Sequence, residues 1–223
     1  MNIRRYQFMN FGKSMKQLVL LGIFIFSVGA AVAQSQSSSS NPYVRLGNKA
    51  IMDGDFKAAV NALEKVKNPD TLVTYMLGYS QIRCADYNKA INSFTKLLSQ
   101  SPNNFSAYYW RGKARNTLAV QGDSKLSETE RSKMLQESIE DFSNAIKLNP
   151  DDLSYYQSRG MAYRDLGILQ GTNSTAVYDK DQATEAYQKS IDDLQHVLSA
   201  NSKREDLAKE IKKVKIYKSN LSK

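Results

Sequence analysis

The sequence predicts an all-α protein, a solenoid of antiparallel helix pairs, from three observations. The stretch from Thr71 to Pro102 carries Gly78, which recurs in a similar context as Gly112. The residues that close this stretch, AINSFTKLLSQSP, return in similar form as SIEDFSNAIKLNP and SIDDLQHVLSANS. Only four prolines interrupt the 223 residues, whose composition is that of an ordinary soluble globular protein. A self-similar segment of this length is typical of stacked helix pairs, because one pair alone cannot bury its apolar face.

The segment 1–33 predicts an export signal. A basic, acid-free start precedes the apolar run LVLLGIFIFSVGAAVA, which ends in a small-x-small cleavage pattern at Ala33. Translation from Met1 or from Met15 gives the same signal. Its compactness is typical of bacteria and predicts a periplasmic or secreted protein. An uncleaved anchor is the alternative, although the run is shorter than a typical spanning helix. Residues 34–40 form a Ser-rich spacer that is predicted to be flexible.

The net charge of +9 belongs to the two ends of the chain. The signal carries four basic residues, and residues 203–223 carry eight basic and three acidic residues, so +4 and +5 account for the whole excess. Because the body between them is neutral, a nucleic-acid-binding face is not predicted. The single cysteine, Cys84, excludes an internal disulfide and a Cys-based zinc site, and we expect it to be a small packed residue.

Placing Gly78 over the other glycines gives four repeats. In each repeat a glycine on the first helix leaves room for the second helix to cross. The second helix carries Ala or Ser at the crossing, and a large apolar residue one turn later fills the space between pairs. The predicted repeats are residues 41–69, 71–102, 105–150 and 153–202, followed by a capping segment at 203–223. The predicted packing positions are Gly47, Ala59, Gly78, Ala90, Phe94, Gly112, Phe142, Gly160 and Leu194.

This pattern resembles the tetratricopeptide-repeat family over residues 41–202. The resemblance implies a right-handed superhelical solenoid whose first helices line a concave, protein-binding groove. Pro102 and Pro150 cannot continue a helix, so each closes its repeat. Arg111 and Arg159 stand before two of the glycines in place of large apolar residues, and we expect their stems to pack while their charges reach solvent.

Repeats three and four contain insertions between their two helices. The small crossing residue follows the glycine by 12 positions in the first two repeats, but by 26 in the third and by 30 in the fourth. Insertions at the same point of neighbouring repeats should emerge on one edge. Ser127 and Glu130 predict a capping box for a helix over 128–148, and Asp179 predicts the start of a helix that reaches about Ser199. Neutral lengthening and a second docking surface both fit these insertions.

The last segment, 203–223, predicts a basic amphipathic helix. Leu207, Ile211, Val214 and Leu221 form one apolar stripe, with Ala208 and Tyr217 beside it. A solenoid needs a terminal cap with a polar outer face, which is the leading interpretation. Contact with an anionic membrane surface is the alternative, although three acids weaken it.

The sequence predicts no catalytic or metal-binding site and no cofactor. The only histidine is His196, which excludes a Ser-His-Asp triad and the usual histidine metal clusters. No Gly-rich phosphate loop is present. The acidic pairs at 151–152 and 192–193 are expected at a helix start and on a helix surface.

The resemblance implies that the partner is another protein or peptide, which binds in the groove. The groove would be rich in Tyr, carry three cations and contain few acids, which suits a peptide with apolar anchors and some negative charge. Alternatively, the tyrosines only pack between repeats. The family's Lys/Asn clamp for a terminal carboxylate is not predicted, because Val44 stands where the lysine is needed. The expected groove residues are Asn48, Met52, Tyr75, Tyr79, Arg83, Tyr109, Lys113, Asn116, Gln157, Met161 and Arg164.

Together these observations predict an exported, non-enzymatic adaptor that holds another envelope protein. The alternative is a structural or assembly role, in which the protein self-associates or joins a large complex through the edge that carries the insertions.

Overall fold

The computed structural model describes residues 41–122 and 125–221, and these residues form an all-α helical repeat solenoid, as predicted. The predicted signal and spacer lie outside the described residues. The chain divides into two compact units, Met1–Val66 and Lys67–Lys223. The first unit contains α1 (Pro42–Met52) and α2 (Phe56–Leu63). The second contains α3 (Thr71–Arg83), α4 (Tyr87–Gln100), α5 (Phe105–Val120), α6 (Glu128–Leu148), α7 (Leu153–Gly171), α8 (Lys180–Ala200) and α9 (Glu205–Leu221).

Side-chain caps fix where several helices begin. The Asp70 carboxylate accepts a hydrogen bond from the backbone N–H of Val73 at the start of α3. Ser127 and Glu130 form the predicted capping box, and Asp179 accepts from the backbone N–H of residue 182. The predicted start of α6 and the predicted cap of α8 are therefore confirmed. Such a cap contributes about 1 kcal/mol to helix stability.

Glycines set how closely the two helices of a pair approach. A Cβ atom built at Gly112 would lie 3.0 Å from the ring of Phe142, and one built at Gly78 would lie 3.0 Å from the ring of Phe94. Side chains rarely pack so closely, so these crossings need a residue without a Cβ atom. The same approach brings Leu63 over Gly47 and Leu194 over Gly160. The small crossing residues Ala59 and Ala90 are fully buried.

Arg111 and Arg159 do not send their charges to solvent, which corrects the expectation from the sequence. Each is only partly exposed and pairs with an aspartate on the second helix of its own repeat. Arg111 donates to both oxygens of Asp141, with Nη2 2.7 Å from Oδ1 and Nε 3.0 Å from Oδ2. Arg159 donates to Asp193 through Nε and Nη2, both at 2.8 Å. Asp141 also accepts from Arg115 Nη1 at 2.6 Å. Bidentate geometry of this kind fixes orientation as well as charge.

The same two arginines also reach the preceding repeat. Arg111 Nη1 lies 3.1 Å from the Thr95 hydroxyl on α4, and Arg159 Nη1 lies 3.1 Å from the Ser143 hydroxyl on α6. One guanidinium therefore joins two neighbouring repeats in register. Asp193 is buried because it pairs with Arg159, although the sequence predicted it on a helix surface.

The two insertions lie at one edge, as predicted, and the structure shows that they also contact each other. The backbone N–H of Ala176, in the second insertion, donates to the Glu128 carboxylate at 2.5 Å. Val177 packs against an apolar cluster that includes Leu135 and Leu166. Part of the second insertion lengthens α7, which continues to Gly171. The edge thus has its own packed interior.

Helix α9 caps the second unit through the predicted stripe. Leu207, Ile211 and Val214 are buried against α8, and Leu221 is half-buried in the same cluster. Its remaining surface carries several lysines, together with the exposed side chains of Ile216 and Tyr217.

None of the described helices is long and apolar enough to cross a membrane.

Cys84 is exposed, so the expectation that it packs is wrong. It is the C-cap of α3, and the next residue, Ala85, has a φ of 59°. Because the chain turns there into the left-handed region, Cys84 lies at the outside of the turn between α3 and α4.

We predict that Gly112→Ala destabilises the protein by about 1 kcal/mol. The added methyl group would overpack the crossing at a cost of about 1–3 kcal/mol, while the better helix propensity of alanine offsets about 1 kcal/mol. Urea unfolding followed by circular dichroism measures the difference. Gly122→Ala is the control, because no described atom lies within 4 Å of that position. Equal stability of Gly112→Ala and the wild type would show that the crossing does not require glycine.

Candidate functional site

Two of the expected groove residues lie in the first compact unit. Asn48 is fully buried, so its side chain cannot face a partner, and this corrects its assignment to the groove. It neighbours Gly47, over which Leu63 of α2 packs. Met52, at the end of α1, is 65% exposed. The other nine groove residues belong to the second unit, on α3, α5 and α7, which lie side by side there.

Five aromatic side chains of α3, α5 and α7 form the aromatic cluster: Tyr75, Tyr79, Tyr109, Trp110 and Tyr155. Trp110 lies at its centre, with edge-to-face contacts to Tyr79 at 5.2 Å and to Tyr109 at 5.1 Å between ring centroids. Its Nε1–H donates to the Tyr75 hydroxyl at 2.9 Å. Tyr109 also contacts Tyr155, at 5.0 Å. Such ring pairs each contribute about 0.5–1.5 kcal/mol beyond burial, so the cluster ties three successive first helices together.

The members of the cluster differ in how accessible they are. Tyr75 packs edge-to-face on Phe94 of α4 at 5.8 Å between ring centroids, and burial raises its pKa to about 12. Tyr155 is buried, whereas Tyr79 and Trp110 are only half-buried. The exposed Arg83 donates to the Tyr79 hydroxyl at 3.1 Å and lies over its ring. The open side of the cluster is therefore an aromatic surface with a cation at its margin.

Lys113 adds a second cation beside the cluster. Its Nζ lies 6.0 Å from the centroid of the Tyr109 ring, and the side chain is half-buried. Burial lowers the pKa of Lys113. None of the ion pairs found in the described part of the chain involves this lysine. A half-buried ammonium group without a counter-charge favours a ligand that brings an anionic group.

The third expected cation, Arg164, is already neutralised. It pairs with Asp165 at 2.6 Å and with Glu210 of α9 at 2.7 Å. Asn116 joins this network by donating to Asp165 at 3.2 Å, and the Met161 sulfur lies 3.6 Å from Arg164 Nη1. The expectation that the groove has few acids is therefore wrong at this end.

The remaining groove residue, Gln157, makes a separate contact. Its side-chain oxygen accepts from Arg204, in the turn before α9, at 3.4 Å. The structure thus brings the expected residues together in two groups, an aromatic group with Lys113 and Arg83 and a polar network around Arg164. Gln157 belongs to neither group.

Sequence reasoning missed four residues of this surface. Trp110 is the only tryptophan and directly follows Tyr109, and this was the available signal. Asp165 directly follows Arg164. Tyr155 and Glu210 gave no comparable signal. Glu210 is 46 residues from its partner, Arg164, in the sequence. The apolar stripe of α9 does not by itself show which polar side chain of that helix faces α7.

In the described ranges, no group of three or more His, Cys, Asp or Glu side chains is placed to hold a metal ion. The arrangement offers surface for recognition, namely aromatic faces and cations held on three packed helices.

Comparison with known proteins bears on the fold. Residues 73–104, which span α3, α4 and the following turn, match the family Tetratricopeptide repeat. The crystal structure of MamA protein superposes with a TM-score of 0.50 at 23% identity, covering 81% of this chain and 92% of that one. MamA from Desulfovibrio magneticus RS-1 gives 0.49 at 20% identity, covering 81% and 91%. A thermophilic TPR protein of Thermus thermophilus gives 0.47 at 19% identity, covering 80% and 100%. No curated protein sequence matches the chain.

We predict that Glu210→Gln destabilises the protein at pH 7 but not at low pH. Burial raises the pKa of Glu210, but the hydrogen bond and charge of Arg164, together with Lys213, bring it below its ordinary value of 4.5. Because the folded-state pKa is depressed, the stabilisation is present above pH 4.5 and is lost as the pH falls through the folded-state pKa.

The expected loss is about 1.5 kcal/mol at pH 7, the contribution of a hydrogen bond between charged groups. It should shrink towards zero as the pH falls through the folded-state pKa of Glu210. Urea unfolding at a series of pH values measures it. Glu205→Gln on the same helix is the control, because the Glu205 side chain is 87% exposed. A loss that did not depend on pH would show that Glu210 contributes through its shape and not through its charge.

Proposed function

We propose that this chain is a tetratricopeptide-repeat protein, as its matched repeat and its fold support, and that it is a non-enzymatic adaptor. In this proposal it holds a segment of another protein on the first helices of its second compact unit. The contact surface, which we call the binding face, consists of Tyr79, Arg83, Tyr109, Trp110 and Lys113.

The observation that carries the proposal is the half-buried Lys113 beside the aromatic cluster. An ammonium group removed from water loses hydration free energy that a ligand carboxylate would restore. The neighbouring rings of Tyr79 and Trp110 offer apolar contact area, and their residue types dominate binding hot spots. A peptide that places an acidic residue next to an apolar one satisfies both features.

The supporting helices are held in place before any ligand arrives. The aromatic cluster connects α3, α5 and α7, and the guanidinium groups of Arg111 and Arg159 fix successive repeats in register. A preformed surface loses little conformational entropy on binding, which favours affinity. The alternative assembly role, through the edge with the insertions, has less support because that edge packs on itself.

The proposal is tested by selecting peptides from a random display library on the purified protein. We expect the enriched peptides to combine apolar residues with Asp or Glu. Because Trp110 is the only tryptophan, its fluorescence reports binding at this face directly. Lys113→Met removes the charge while keeping most of the apolar stem, and it should weaken binding about tenfold, or 1.4 kcal/mol.

Lys147→Met is the matched control, because Lys147 is exposed on α6, away from the first helices. It should bind the selected peptides as the wild type does. Unchanged affinity of Lys113→Met, with the circular dichroism spectrum intact, would remove the basis for the binding face.

We also propose that the protein is exported and cleaved after Ala33, as the basic start and the apolar run of the segment 1–33 support. Expression in a bacterium followed by mass spectrometry of the periplasmic fraction tests this. The expected product begins at Gln34, and Ala33→Asp should block cleavage because the site requires a small residue. A cytoplasmic product that retains Met1 or Met15 would contradict export.

A further inference from the structure

An open cleft lies between α8 and α9, on a different surface from the binding face. Its volume is about 530 Å³. The lining includes the apolar side chains of Ile191 and Leu221, and three lysines, Lys180, Lys215 and Lys218, lie around it. A concave surface with an apolar floor and a cationic rim suits an elongated amphipathic ligand that carries negative charge.

The register of the repeats shows what packs against the equivalent helix elsewhere in the chain. Helix α5 begins three residues after Pro102, and α9 begins three residues after Ser202. The positions correspond with an offset of 100, so Lys215 is the counterpart of Arg115 and Lys212 is the counterpart of Gly112. The buried residues agree with this alignment, because Ala107 and Ala114 correspond to Leu207 and Val214, and all four are buried.

In repeat three, the counterpart of Lys215 forms ion pairs with acidic residues of α6, the helix that crosses α5. Arg115 pairs with Glu137 at 3.2 Å and with Asp141 at 2.6 Å, and these two residues lie one turn apart on α6. Among the described residues no helix takes the corresponding place beside α9, and none of their ion pairs involves Lys212 or Lys215. Within residues 41–122 and 125–221, the cationic position is therefore repeated without its acidic partners.

The side chain of Lys212 limits which helices can pack on α9. At the positions equivalent to Lys212, glycine lets a large side chain such as Phe142 pack directly on the first helix. An exposed lysine there blocks that approach and replaces it with charge. A second copy of this end would bring the lysines of both copies together, which is unfavourable. The helix that fits must instead present acids to Lys212 and Lys215.

We propose that the cleft between α8 and α9 is a second docking site, and that it takes an acidic amphipathic helix from a partner protein. The apolar stripe of that helix lies along the cleft that Ile191 and Leu221 line. Acidic residues one turn apart pair with Lys215 in the lining and with Lys212, which is one turn earlier on α9 and outside the lining. The concave shape favours a helix over a flat anionic bilayer. This site is independent of the binding face, since it uses α8 and α9 only.

Two fluorescein-labelled peptides test the proposal by fluorescence anisotropy. Both are about 20 residues long, so that they are helical in solution, and both carry the same Leu stripe. One is flanked by Glu and the other by Lys. We expect saturable binding of the Glu peptide to the wild-type protein. Binding should fall at least about tenfold, or 1.4 kcal/mol, for the double variant Lys212→Glu/Lys215→Glu.

Charge exchange gives the sharpest result. The Lys peptide should bind the Lys212→Glu/Lys215→Glu variant better than it binds the wild type. Lys96→Glu/Lys147→Glu reverses two exposed lysines on α4 and α6 and is the matched control, which should behave as the wild type. Lys113→Met, in the binding face, should leave this binding unchanged.

Three outcomes would overturn the proposal. The Glu peptide binds nothing, or it binds all variants equally, or phosphatidylglycerol vesicles bind the wild type while the Glu peptide does not. The last outcome would assign the lysines to a membrane surface. Circular dichroism of each variant shows whether the fold is intact, since both lysines are exposed and their reversal should not disturb the core.

Discussion

The crossing of two helices at a glycine is the contact on which the second unit depends. The ring of Phe142 occupies the space that a Cβ atom of residue 112 would need. Because Arg111 precedes that glycine and Asp141 precedes that phenylalanine, the same crossing brings the two charged side chains together. Repeat four has the same arrangement, with Arg159 before Gly160 and Asp193 before Leu194. The glycine thus sets both the distance between the helices and the position of a buried ion pair.

The pair between Arg111 and Asp141 serves register more than stability. Burial raises the pKa of Asp141, even though Arg111 and Arg115 act in the opposite direction. A carboxylate with a raised pKa is costly to ionise in the folded protein, so the pair adds little net free energy. The pair acts mainly on geometry. Because the bidentate guanidinium also bonds to the preceding repeat, it allows only one alignment of the two repeats. Repeat two has Leu77 and Ser93 at these two positions, and there the Ser93 hydroxyl donates to the Gln81 side-chain oxygen at 2.7 Å.

Three arginines of the second unit form internal ion pairs, whereas other cations remain at its surface. Arg111, Arg159 and Arg164 all pair with acids of the same unit. Lys113 stays half-buried without an acid in the described chain, next to the aromatic cluster, and α9 keeps its lysines on the outside. Five of the nine excess positive charges belong to the segment 203–223, which includes α9, and Lys113 is a further cation outside the ion pairs of the described residues. These are the two places proposed to meet partners.

The sequence by itself determined the helix pairs, the four glycine crossings, the capping box of α6, the shared edge of the insertions and the apolar stripe of α9. These features are local or periodic, so each can be predicted from spacing along the chain. Tertiary structure alone decided that Asn48 is buried, that Trp110 centres the aromatic cluster, and that Glu210 neutralises Arg164. Those outcomes depend on how one helix is rotated against another, and on contacts between residues far apart in sequence. The pattern of a single helix carries no information about either.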